Sequence, residues 1–278
     1  MFDMTYFTPY EAAPSLFHIY EPGDVHCTLI VGRERALLFD TGYGFCDIRE
    51  AVSALTDLPL TIVNSHGHLD HAGGNFWFEQ KIYIHPYERQ VYDLYQKEKE
   101  SLMDRMWSLY QQGKKPRPWP EGFDRQDYYS YKPCSFIDLT DGQVFDLGGR
   151  IVEVFFFPGH TRGCVALYDH QSGLLLSGDN LGHSIWIMFE QSAPLAEYRS
   201  CLCRLKDSFD IKGILGSHYG GIYPASLIDT VIQCIDQRHD GNSTIFTHPR
   251  KGYKALRRKV PLTGVPGIKD LYLVYPFD

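Results

Sequence analysis

Several shortages narrow the function of this chain before any motif is read. Cysteine comes in an odd number, seven in 278 residues, and no two stand at CxxC spacing. That pattern suits free thiols in a reducing compartment better than a disulfide framework. Positive charge is short as well: 27 Lys and Arg against 34 Asp and Glu leave a net charge of −7. This is the wrong sign for the basic footprint of a nucleic-acid-binding domain, so polyanions are poor candidate substrates. Long apolar runs are missing, none approaching the ~18 residues of a membrane span. The opening MFDMTYFTPYEAAPSLF has no basic region leading into an apolar core, so a soluble, cytoplasmic protein without nucleic-acid or membrane partners is expected. Internal repeats and low-complexity tracts are also lacking.

What is there reads as an ordinary globular enzyme. Hydrophobic residues make up 44% and charged residues 22%, enough to bury a full core. The length suggests one domain over 1–278, with an insertion at about 86–133 and a C-terminal segment at about 240–278. Between Leu16 and Asp40 the stretches LFHIY, VHCTLIVG and RALLFD predict a strand meander. Leu60-Thr61-Ile62-Val63 predicts a short buried strand. Pro86 opens one long amphipathic helix running to Tyr110. In the segment 113–133 spaced prolines forbid regular structure, while Trp119, Phe123, Tyr128, Tyr129 and Tyr131 supply adhesive surface for a lid or for a homodimer contact. Four strands follow from Asp138 to Asn180, then helices at Pro194–Phe209 and Pro224–Arg238 with a strand at Ile211–Leu215 between them. The order suggests two sheets back to back with helices outside.

The chemistry concentrates in Asn64-Ser65-His66-Gly67-His68-Leu69-Asp70-His71, where three imidazoles and a carboxylate fall within six residues. Imidazole is a nitrogen ligand for zinc and similar ions, and such a crowd serves little structural purpose without one. On a short turn, His66 and His68 can face one ion while Asp70 and His71 turn toward another. Three further donors stand beside glycine at the ends of apolar strands: His160 in PGHT, Asp179 in SGDN and His218 in GSHY. Three or four protein donors per ion leave positions open for water, the mark of a catalytic rather than a structural site. Cys164 near PGHT reads as a buried thiol, not a ligand. His18, His26, His85, His170, His239 and His248 have no motif around them and read as structural or surface residues.

Taken together, HGHLDH (66–71), PGHT (158–161), SGD (177–179), GSH (216–218) and the earlier LLFDTG (37–42) make the sequence resemble the metallo-β-lactamase superfamily, over about Leu16 to His218. The resemblance implies a four-layer αββα sandwich, here with a helical and aromatic insertion. It implies His66, His68 and His160 at a first metal, Asp70, His71 and His218 at a second, and Asp179 bridging both. The ions of such folds are usually zinc, with iron or manganese as alternatives. Asp40 would orient the histidine loop from behind its metal ligands.

The expected reaction is hydrolysis of a small ester, thioester or lactone by a metal-bridging hydroxide. Asp70 is the candidate for handling the released proton, and His183 and Tyr219 for contacting the substrate oxygen. Phosphodiester cleavage by the same fold, an iron-dependent oxygenase and a metal-binding scaffold are the alternatives. His68 stands where the oxygen-reducing flavodiiron branch has Glu, and Asp179 where the main zinc β-lactamases have Cys, so both branches are disfavoured. Quorum-quenching lactonases carry Tyr where Gly182 stands. Glyoxalase II relatives hold glutathione through basic C-terminal residues, and 248–259 here contains Arg250, Lys251, Lys254, Arg257, Arg258 and Lys259, which read equally as a solvated loop or helix face.

Overall fold

A computed structural model describes residues 6–130, 134–249 and 252–277. Packing within the chain resolves into two compact units, Met1–Leu139 with Asp146–Arg150, and Thr140–Phe145 with Ile151–Asp278.

The first unit opens with β1 (Thr8–Ala13), β2 (Leu16–Glu21), β3 (Val25–Val31) and β4 (Ala36–Phe39), an antiparallel meander in sequence order. After α1 (Ile48–Ser53), whose first turn is capped by the Asp47 side chain, β5 (Leu60–Val63) joins β4 in parallel. One helical turn, α2 (Leu69–Ala72), and a 3₁₀ turn (Gly73–Trp77) lead to β6 (Ile82–Ile84). Helices α3 (Glu88–Lys97), α4 (Lys99–Gln111) and α5 (Arg125–Tyr129) precede β7 (Phe136–Asp138), which closes a seven-stranded sheet in the order β1 to β7. Strands β3 and β4 are buried along nearly their whole length and β5 over Ile62 and Val63, as expected for central strands covered on both faces.

The second unit holds two sheets. Strands β8 (Val144–Asp146), β9 (Ile151–Phe156), β10 (Val165–Asp169), β11 (Leu174–Gly178) and β13 (Gly213–Gly216) form the first, in the order β13-β11-β10-β9-β8. The second is built from β12 (Ser184–Trp186), β14 (Ser243–Thr247), β15 (Lys254–Pro261) and β16 (Asp270–Tyr275), in the order β12-β16-β15-β14. Helices α6 (Leu195–Ser208) and α7 (Leu227–Asp236) contribute Tyr198, Leu202, Leu205, Leu227, Val231 and Ile235 to the same core as both sheets.

Three expectations need correction. The single helix from Pro86 to Tyr110 is two, broken at Glu98; beyond the break, Lys99 buries its ammonium between the rings of Phe76 and Tyr128, at 5.1 and 4.7 Å. The aromatic segment 113–133 spends two of its rings on the interior rather than on a surface: Trp119 and Tyr128 are buried in the first unit's core, and Asp124 caps the short helix α5 within the segment. Large rings next to Phe45 and Trp107 gain more from burial than spaced prolines lose in regular structure. Tyr131 lies outside the described residues. In the basic 248–259 stretch, Lys254 to Lys259 form part of strand β15 rather than a loop or helix face, while Arg250 and Lys251 lie outside the described residues. Strands β1, β12, β14 and β16 carry no sequence signal that anticipated them.

Candidate metal centre

Strand register assembles the donors of each unit. In the first, parallel pairing sets Phe39 against Val63, so the residues after β4 and β5 leave the sheet side by side. Asp40, wholly buried and held at φ 67°, then accepts from the Ser65 backbone N–H at 2.6 Å and its hydroxyl at 2.7 Å. The same carboxylate lies 2.9 Å from Nδ1 of His71. Asp is one of the few side chains that tolerates the left-handed region, and here the strain is offset by three hydrogen bonds. Asp40 therefore fixes both the start and the end of the histidine loop, the role that the family resemblance implies for it.

The loop itself is tightly confined. His66 and His71 are fully buried, His68 nearly so, and the ring of His66 sits 4.5 Å from that of His68 and 4.1 Å from that of His71. Nδ1 of His66 meets the Ser65 hydroxyl at 3.0 Å, and His68 lies against Tyr95 at 4.1 Å. Asp70, on the single turn α2, places a carboxylate oxygen 3.8 Å from Nε2 of His71. A Cβ on Gly67 would come within 2.6 Å of the backbone of α3, while the Gly67 N–H donates to Glu88 at 2.8 Å. Glu88 is fully buried at the start of α3, and nothing in the linear pattern marked it as a support for this loop.

In the second unit, parallel pairing of β11 with β13 sets Gly178 against Gly216, so Asp179 and His218 emerge at the same edge. Strand β9 runs the same way, being antiparallel to β10 as β11 is, so the turn that carries His160 lies at that edge too. The two oxygens of Asp179 face two imidazoles, 3.5 Å from Nε2 of His160 and 3.3 Å from Nε2 of His218. Nδ1 of His160 donates to the Trp186 carbonyl at 2.8 Å, which puts the proton on Nδ1 and turns Nε2 toward Asp179. Asn180 receives the His160 N–H at 2.7 Å and is itself bonded to Phe157 and Tyr198. Cys164 is a turn residue: its sulfur lies 3.0 Å from the Thr161 hydroxyl.

The remaining site candidates are also placed. His183 keeps Nδ1 2.7 Å from the Tyr223 hydroxyl, and its ring is 6.4 Å from that of Tyr219. The Tyr219 hydroxyl donates to the Pro266 carbonyl at 2.8 Å, so it supports the surrounding loop directly. Tyr223, buried and lying in no recognisable motif, also accepts the His183 backbone N–H at 3.2 Å. A Cβ at Gly182 would lie 3.7 Å from that same hydroxyl.

Buried imidazoles fixed through Nδ1, with carboxylates set against Nε2, are what an imidazole and carboxylate ligand set requires. The chain belongs to the metallo-β-lactamase superfamily, whose sequence profile matches residues 20–221. Among proteins of this family, it is 26% identical over 217 residues to the human acyl-coenzyme A thioesterase MBLAC2, covering 72% of this chain and 75% of that one. Hydroxyacylglutathione hydrolase of Synechococcus sp. (strain JA-2-3B'a(2-13)) is 30% identical over 122 residues, 44% of this chain and 34% of the other. The family protein TTHA1429 of Thermus thermophilus superposes with a TM-score of 0.57 at 20% identity, over 85% of this chain and 97% of that chain, which establishes the shared fold.

Proposed function

We propose that this protein is a metal-dependent hydrolase of thioesters, using His66, His68 and His160 for one divalent ion, Asp70, His71 and His218 for a second, and Asp179 for both. The observation that carries the reading is the orientation of the imidazoles. Asp40 holds His71, Ser65 holds His66 and the Trp186 carbonyl holds His160, all through Nδ1. Each ring is thereby fixed to offer Nε2, the arrangement of a metal-ligating histidine with an outer-shell partner. The thioester class is supported by the human relative that bears that name and by the partial match to a hydroxyacylglutathione hydrolase. Zinc fits this mixed imidazole and carboxylate donor set.

Divalent ions held by these residues would act as Lewis acids on a carbonyl oxygen and would bring the pKa of a bound water to about 7. The chain's own groups then orient and move protons. Asp70, partly exposed on α2, is placed to take the proton from the attacking water and pass it to the thiolate that leaves. We assign contact with the substrate's oxygen to His183, whose Nδ1 meets the Tyr223 hydroxyl, with the Tyr219 ring 6.4 Å away.

A panel of esters, thioesters, lactones and phosphodiesters, assayed together with metal analysis of the purified protein, tests this. Two zinc or manganese ions per chain and chelator-sensitive thioester hydrolysis are expected. Asp179→Ala should lower kcat/KM by about a hundredfold or more, because several kcal/mol of transition-state stabilisation is removed. Hydrolysis indifferent to chelator and to Asp179→Ala, or cleavage of phosphodiesters alone, would overturn the reading.

A further inference from the structure

The sheet β12-β16-β15-β14 has two faces, and register sorts them. Pairing sets Trp186 against Val274, Ser184 and Lys259 against Tyr272, Arg257 against Thr244 and Val274, and Phe246 against Ala255. Directly opposed residues share a face, so Trp186, Phe246, Arg257, Lys259 and Tyr272 stand together. The reverse face carries Ile185, Leu271, Leu273 and Tyr275, all buried in the core that α6 and α7 share. On the first face Val274 and Ala255 form a buried floor, while Trp186, Phe246, Tyr272 and Arg257 remain half-buried and Lys259 exposed. The Trp186 and Phe246 rings lie 5.3 Å apart, and the Arg257 guanidinium stands 5.8 Å from Phe246 and 5.4 Å from Tyr272.

This face begins at the candidate metal donors. The residue that contributes its indole, Trp186, is also the one whose carbonyl fixes His160, and Phe189 stands edge-on to His160 at 5.1 Å while touching Trp186 and His248. A group attached to a carbonyl carbon near His160 is thus within a few residues' reach of an aromatic and basic surface.

We infer that this face is the subsite for the leaving group of the thioester, and that the group it takes is a large anionic thiol bearing a purine nucleotide, the chemistry of coenzyme A. The inference rests on the thioesterase reading and adds to it which residues select the substrate. Half-buried flat rings offer stacking to a base. Arg257 is held between two rings and makes no ion pair among the described residues, which leaves its planar set of donors for phosphate. Lys259 at the far edge is paired at 2.9 Å with Asp270 on the same face, so the positive charge left for a ligand there is that of Arg257. In a chain of net charge −7, a guanidinium standing clear of carboxylates is a local attraction for an anion. A small uncharged thiol would use none of these groups.

The test compares one acyl group carried on coenzyme A and on N-acetylcysteamine. Arg257→Glu, with Arg257→Gln as the milder variant, should raise KM for the coenzyme A ester about tenfold or more, as loss of a charge-assisted hydrogen bond does, and leave the N-acetylcysteamine ester unchanged. Calorimetric titration with adenosine 3′,5′-bisphosphate gives a readout independent of hydrolysis, with binding to the wild type and loss in Arg257→Glu. If both esters respond equally to Arg257→Glu, or the nucleotide does not bind, the subsite is refuted while the thioesterase reading survives. Arg257-dependent nucleotide binding without any thioester hydrolysis would do the reverse.

Discussion

Asp40 shows how much of the candidate site hangs on a residue that binds no ion. It reaches the histidine loop at Ser65 and at His71, so losing its second oxygen as an acceptor should loosen a ligand rather than remove one. Asp40→Asn keeps the shape and tolerates φ 67°; we expect metal affinity to fall roughly 10- to 100-fold, measured by competition with a chromogenic chelator, with the circular dichroism spectrum unchanged. Glu21 is a second buried acid, packed under Gly42 and accepting the Tyr43 N–H at 2.7 Å. Burial raises its pKa from 4.5 to about 8, against the lowering effect of the Tyr43 and Phe45 backbone N–H groups. The folded state therefore keeps a proton that the unfolded chain releases, and stability should fall as pH climbs from 4.5 to about 8, by at most roughly 1.4 kcal/mol per pH unit. Glu21→Gln imitates the protonated acid, so urea titrations across that range should show its slope flattened relative to the wild type.

At the scale of elements, the segment between α4 and β7 behaves as core. Trp119 stacks on Trp107 at 5.3 Å, and Tyr128 donates to the Tyr43 carbonyl at 2.9 Å, next to the DTG turn. Trp119→Ala should therefore cost about 3–5 kcal/mol in a denaturant titration; a change below about 1 kcal/mol would mean that the segment is a surface loop after all. Strand β15 makes a related point. Arg258 lies on its inward face, buried and paired with Asp240 at 2.7 Å, whereas Arg257 one residue earlier lies on the outer face. The alternation of a strand, and not the run of like charges, decides which of these cations is structural.

For the whole molecule, metal and stability are linked. An ion that binds only the folded chain stabilises it by about 2.7 kcal/mol at a hundred times its Kd. Chelator should accordingly lower the calorimetric Tm, added zinc should restore it, and Asp179→Ala should blunt both responses. No helix among the described residues is long and apolar enough to cross a membrane, which agrees with the absence of long apolar runs in the sequence.

The sequence alone determined the family, the strand-end motifs and the residues worth testing, because the donors of such sites sit in short loops where glycine and histidine leave a local signature. The order of most strands was legible too, since buried parallel strands are written as compact apolar runs at Leu60–Val63 and Leu174–Leu176. Only tertiary structure decided the rest. Glu88 supports Gly67 from 21 residues away, Asn180 supports His160 from 20, and Tyr223 supports His183 from 40, and no spacing rule reports such contacts. Strands β12, β14 and β16 take their faces from pairing partners far along the chain, so the aromatic and basic surface beside His160 exists only once register has brought Trp186, Phe246, Arg257 and Tyr272 together. Local propensity can write a turn or a ligand loop; which side chains stand behind it is settled by long-range pairing and burial.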